Sequence, residues 1–90
     1  MRGGPQWMTK SDDRILEVLD DLGAALSMRG IEINSKILDN RVPYGTINDR
    51  LPKLIDAGLI TTVDEHEQWY MISENGSAYL DGDYVPPDLS

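Results

Sequence analysis

Ninety residues suit one domain, large enough to bury a core but with little stability in reserve. There is no cysteine, which excludes a disulfide framework and a thiolate metal site, and no apolar run approaches the roughly 18 residues of a membrane span. Eleven Asp and five Glu stand against three Lys and five Arg, a net charge of −8, and such a balance ordinarily disfavours nucleic acid, whose phosphates are held by cations.

Residues 1–8, MRGGPQWM, read as a flexible Gly/Pro segment ending in two large apolar residues, with Trp7 expected to pack on the body. Thr9 or Ser11 caps the first helix, with Asp12 and Asp13 in its electropositive first turn. Ile15, Leu16, Leu19 and Leu22 form its buried stripe with Val18 beside it, and Gly23 ends it. Glu17, Asp20 and Asp21 form a solvated face. A second helix starts after Ser27 or, because Gly30 weakens the first turn, after Asn34. Ile31, Ile33, Ile37 and Leu38 are expected to face inward, and Asp39-Asn40-Arg41 makes the turn that follows.

The third helix begins at Pro43 as its first residue, where the missing N–H is not needed. Ile47, Leu51 and Leu54 keep i, i+4, i+7 spacing through Pro52, so Pro52 is read as a bend and not an end. Gly58 fits the position where the chain leaves a helix left-handed. Leu59–Val63 and Gln68–Ile72 are rich in β-branched and aromatic residues and read as two strands about the acidic turn Asp64-Glu65-His66-Glu67. Ser73 caps a last helix over 74–81 with Ala78 and Leu80 as contacts, and GDYVPPDLS, 82–90, is neither regular helix nor central strand. The domain therefore spans 9–81 between the segments 1–8 and 82–90.

A helix feeding directly into a β-hairpin after two earlier helices is the layout of a winged helix-turn-helix. The fold class is mostly α with a small β-hairpin (α+β), in the order H1-S1-H2-H3-S2-S3-H4. In that layout Ala24-Ala25-Leu26 holds the first strand and adds a third edge to the hairpin. Charge supports the assignment: Arg29, Lys36, Arg41, Arg50 and Lys53 against Glu32, Asp39 and Asp49 make 29–53 a +2 island, while the rest carries −10.

Over about residues 7–81 the chain resembles the haloarchaeal winged-helix regulators related to a halophage repressor, within the wider multiple-antibiotic-resistance-regulator type. The resemblance rests on WMTKSDDRILEVL, YGTINDRLPKLIDAGLI and WYMISENGSAYL in that order and spacing. It implies a small dimeric transcription regulator, repressor-like, with helix 3 in the major groove of a palindromic site and the hairpin tip near the minor groove or backbone. Family members commonly carry several Arg where this chain has Asn48-Asp49-Arg50, and a basic wing tip where it has Asp64-Glu65-His66-Glu67. The Asp-rich, Lys-poor composition resembles proteins of salt-loving archaea; at about 1 M salt the Debye length is roughly 3 Å, so distant carboxylates barely repel phosphate.

The DNA contacts expected on this reading fall on eight residues. Tyr44, Gly45, Thr46 and Asn48 lie in the turns that enter the groove. Asn48 suits adenine, and Thr46 or Tyr44 a thymine methyl or a phosphate, with core packing an equal alternative for Tyr44. Arg29, Arg41, Arg50 and Lys53 are phosphate candidates. The partner is double-stranded DNA, contacted by a homodimer joined through the N-terminal segment, helix 1 and the C-terminal helix, using Trp7, Tyr79, Leu80, Tyr84 and Val85. No catalytic group, cofactor or metal site is expected: His66 sits in an exposed turn, no metal-ligand spacing occurs, and the carboxylate pairs lie on solvated faces. With no apolar leader either, the protein is expected in the cytoplasm. The competing reading is a winged helix that has lost DNA binding and serves as a protein-interaction module, favoured by the acidic wing with Asp49 and Asp56.

Overall fold

Thr9 closes the first turn of helix α1 (Lys10–Leu22) as a capping box: its side chain accepts from Asp12 N while its own N–H donates to Asp12 Oδ2 at 2.8 Å. The computed structural model describes residues 5–63 and 66–88. In it α1 is followed by α2 (Met28–Ile37), α3 (Tyr44–Asp56), strands β1 (Ile60–Val63) and β2 (His66–Ile72), and α4 (Glu74–Leu80). The class is as expected: helices plus one antiparallel hairpin, three helices preceding the hairpin.

The expected first strand is a correction. Gly23, in the left-handed region with φ 60°, reverses the chain, and Ser27 already caps α2. Only Leu26 is left in position to pair. It exchanges two 2.8 Å hydrogen bonds with Tyr70, so the third edge is a single bridge and not a strand.

Helix α1 buries Ile15, Leu16, Val18 and Leu19 as expected, whereas Leu22, in the last turn beside the Gly23 reversal, stays exposed. Ser27 settles the start of α2 at the earlier of its two candidate positions, accepting from Gly30 N at 3.1 Å. The inward face of α2 differs from expectation. Ile31, Ser35 and half-buried Leu38 turn inward, at i, i+4, i+7. Two residues further on, a helix has turned through about 200°, so Ile33 and Ile37 point outward, Ile37 being 72% exposed. Ser35 takes an inward place because its hydroxyl donates to Glu32 O at 2.7 Å and accepts from Val42 N at 3.0 Å. That bond fixes the turn into α3, and Val42 drops fully into the core.

Pro43 is the N-cap of α3 and not its first residue, and α3 runs through Pro52 as expected. It ends at Ala57 in a paired closure: Gly58 N donates to Ile55 O at 2.9 Å and Leu59 N to Leu54 O at 3.0 Å, with Gly58 at φ 77°. Leu54 and Leu59 are both fully buried, packing helix end and strand start into one core. In the hairpin Ile60 pairs Ile72, Thr61 pairs Met71 and Thr62 pairs Tyr70, but Val63 pairs His66. The β2 strand therefore carries an insertion at 67–69, a bulge that bends the wing.

Ser73 caps α4 by accepting from Gly76 N at 3.0 Å, and its hydroxyl donates to Gly58 O. The buried residues of α4 are Gly76 and Tyr79, with the expected Ala78 and Leu80 only half-buried. Tyr79 Oη donates to Asp13 Oδ1 at 2.6 Å. The described parts of both terminal segments lie on the body: Trp7, Met8 and Tyr84 pack against the core, Pro86 is buried, and Trp7 Nε1 donates to Pro87 O at 2.9 Å. No helix of the described residues is long and apolar enough to cross a membrane.

Candidate nucleic-acid interface

With Ile47, Leu51 and Leu54 fully or nearly fully buried, α3 turns Tyr44, Gly45, Asn48, Asp49, Pro52, Lys53 and Asp56 outward, and Thr46 is half-buried beside them. Asn48 makes no side-chain hydrogen bond among the described residues, so its amide keeps both donor and acceptor for a partner. Arg41, in the turn before α3, and Lys53 are exposed and take part in no ion pair among the described residues.

Arg29 and Tyr44 form a unit. The guanidinium carbon lies 5.1 Å from the centroid of the Tyr44 ring, and Nη1 donates to Glu32 Oε1 at 3.2 Å. The Tyr44 ring is thus neither in the core nor loose; it props an exposed arginine from the preceding helix. Ser27, Met28 and Arg29 of the α2 start, Tyr44 of α3 and Gln68 of β2 line a shared recess. The first turns of α2 and α3 and the wing therefore meet on one side of the molecule.

Arg50 has another role. Its Nε donates to Asp12 Oδ1 at 2.8 Å, and its Nη2 donates to Asp12 Oδ2 and Trp7 O, each at 2.9 Å. Asp12 is 0% exposed and the Arg50 side chain 19%. Hydrogen bonding to Asp12 raises the Arg50 pKa above its ordinary value, aided by the Asp12 and Asp49 charges and opposed by burial. Arg50, expected at a phosphate, forms an internal clamp from the middle of α3 to the capping box of α1. On the wheel Arg50 flanks the buried stripe, a signal available in the sequence; its partner lies 38 residues away.

The wing tip expected at Asp64-Glu65-His66-Glu67 is only partly covered: Asp64 and Glu65 lie outside the described residues, and β2 begins at His66. The bulge leaves Trp69 47% exposed beside Gln68, an aromatic surface that strand propensity alone did not reveal. Elsewhere Glu17, Asp20, Asp21 and Asp81 edge a cleft with Leu38, Asn40 and Leu80, and Glu17 accepts from Asn40 Nδ2 at 3.0 Å. No group of three or more metal-ligating side chains occurs among the described residues.

The fold has a solved counterpart. The crystal structure of the PhiH1 repressor-like protein from Haloarcula marismortui is similar at 36% identity and a TM-score of 0.76, covering 93% of this chain and 89% of that one. The family model described as winged helix-turn-helix phage repressor matches residues 1–90. The chain belongs to that family. None of the curated proteins matches it. The phage-repressor domain match extends through both terminal segments, which accords with Trp7 and Tyr84 lying on the core. This is a family of repressor-like DNA-binding domains and not of enzymes. Among the eight expected contacts, Tyr44, Gly45, Thr46, Asn48, Arg29, Arg41 and Lys53 lie on the outer surface of the helix-turn-helix, and Arg50 does not.

Proposed function

We propose that this protein is a repressor-like transcription regulator of a halophilic archaeon, which places α3 in the major groove of a palindromic site as a homodimer. The carrying observation is the outward face of the α3 N-terminal half, where Tyr44, Gly45 and Asn48 are exposed and Asn48 has no internal partner among the described residues. Asn48 is the adenine reader and half-buried Thr46 the thymine-methyl contact. Arg29, held over Tyr44, and Arg41 and Lys53 are the phosphate contacts that set register. Arg50 fixes the angle of α3 from inside.

Pairing of two copies doubles a small half-site interface. Of the face expected to join them, Tyr79 is taken by the chain's own core and Trp7 by Pro87, which leaves exposed Val85 with half-buried Leu80 and Tyr84. Exposed Asp20, Asp21, Asp39, Asp81, Asp83 and Asp88 fit a molar-salt cytoplasm, where screening keeps them from repelling the duplex. One observation favours the protein-interaction reading instead: Asp49 and Asp56 stand on the same outward face of α3.

Paired variants test the division of labour. Asn48→Ala should cost about 1–3 kcal/mol on the preferred site and little on random DNA. Arg29→Ala should weaken binding to all sequences alike and lower the slope of log K against log salt by about 1. Titrations by fluorescence anisotropy over a range of KCl read both. Equal losses on preferred and random DNA for Asn48→Ala would remove Asn48 from base readout.

A further inference from the structure

Gly45 is a glycine the fold does not use. It sits in the first turn of a thirteen-residue helix, with an ordinary negative φ. A Cβ built on it meets nothing within 4 Å. Four of the other five glycines of the described residues have a structural reason. Gly23, Gly58 and Gly82 have left-handed backbones. Gly76 is packed against Leu59 and Ile72, whereas a Cβ at Gly30 would make only ordinary contact, with Ser27 Oγ at 3.4 Å and Leu26 Cβ at 3.5 Å, and Gly30 lies on the inner side of its helix beside Leu26, away from the outward face of α3. At Gly45 alanine would fit, favour the helix and restrict the unfolded chain, so the folded state by itself would gain from it.

The position of Gly45 points to what uses the missing side chain. It lies opposite Ile47, Leu51 and Leu54, on the outermost line of α3 with Asp49, Pro52 and Asp56, and it is exposed between Tyr44 and Asn48. A bare backbone there lets an opposing surface come closer to the helix than any side chain would allow. The geometry points to Gly45 as a specificity-determining residue of close approach: base-pair edges on the floor of the major groove pack directly against the α3 backbone at Gly45, which brings the Asn48 amide within hydrogen-bonding range of its base. This rests on the reading of α3 as the groove-entering helix. A methyl group at Gly45 would hold the helix off the floor and deny Asn48 its partner, without touching the protein's own packing.

The test uses the full chain and a duplex enriched from random DNA in high KCl. Gly45→Ala should melt at or above the wild-type temperature, yet bind the enriched duplex about tenfold or more weakly, the cost of wedging a methyl into a close-packed contact. Its binding to random DNA should hardly change. The double variant Gly45→Ala/Asn48→Ala should bind no more weakly than Gly45→Ala alone, because residues that act through one contact are not additive. Wild-type affinity in Gly45→Ala would overturn the inference while leaving DNA binding intact, as would additive losses in the double variant. A lowered melting temperature would instead make Gly45 a requirement of the fold, which also overturns it. If the wild type enriches no duplex, this inference falls together with the proposed function, and that outcome is distinct from the others.

Discussion

Arg50→Ala is expected to lower folding stability by about 3–5 kcal/mol, the range for removing one partner of a buried ion pair. Asp12 is fully buried, and Arg50 supplies both of its guanidinium contacts, at 2.8 and 2.9 Å. Without them the carboxylate keeps only the Thr9 N–H, at 2.8 Å, and the Thr9 hydroxyl, at 3.2 Å. Water cannot easily replace the guanidinium, and the uncompensated charge carries most of the cost. Single domains have roughly 5–15 kcal/mol in total, so the variant should unfold at far lower urea. High KCl should rescue little, because buried pairs are screened weakly. Replacing Asp12 as well should recover part of the loss, less about 1 kcal/mol for the broken capping box. A loss below about 1 kcal/mol, as for a surface pair, would contradict the clamp. The same geometry alters what a binding defect would mean. Any loss of DNA affinity in Arg50→Ala should come through a displaced α3, with the salt slope of the folded fraction unchanged.

Gly76→Ala is the second large effect, expected to cost about 3 kcal/mol or more, at the upper end for overpacking. A Cβ on Gly76 would overlap the Leu59 carbonyl oxygen and lie 2.6 Å from Ile72 Cγ1. Neither obstacle gives easily. The Leu59 oxygen accepts from Ser73 N at 3.0 Å, and Gly76 N is tied to the Ser73 hydroxyl at 3.0 Å. Helix α4 would have to lift from the hairpin, taking buried Tyr79 with it. The helix-propensity gain of about 1 kcal/mol from Gly to Ala is too small to offset this. Thermal unfolding reads the result, and a variant as stable as the wild type would show that α4 is not wedged on the hairpin. The same change at Gly45 is expected to act in the opposite sense on stability, since there the added methyl meets open space.

What the sequence made legible follows from range. Thr9, Ser27 and Ser73 bond a backbone N–H three residues away, and Gly23 and Gly58 close the helix behind them, so all five boundaries can be read from neighbouring residues. The buried stripe of α3 is likewise a matter of spacing, which survived Pro52. Helix α2 misled because its apolar residues are out of phase: Ile31 faces in, Ile33 and Ile37 face out, and the inward place between Ile31 and Leu38 belongs to a serine. Ser35 is buried for a hydrogen bond to Val42, seven residues on, which hydrophobic periodicity does not register. The remaining surprises span the chain. Arg50 finds Asp12 across 38 residues, Tyr79 finds Asp13 across 66 and Trp7 finds Pro87 across 80. Each joins residues whose local patterns suit a surface equally well. By its neighbours in sequence Arg50 is one more cation of a basic island, although its place on the helical wheel is beside the buried stripe.

Whether α3 reads a DNA sequence is decided by selecting bound duplexes from a random pool with the wild-type protein in high KCl. Sequence reading by α3 in a symmetric pair should enrich one motif with inverted half-sites about 10–10.5 bp apart, or a multiple of that spacing, as two recognition helices require. Recovery of a pool no different from its input, with the protein folded throughout, would contradict it.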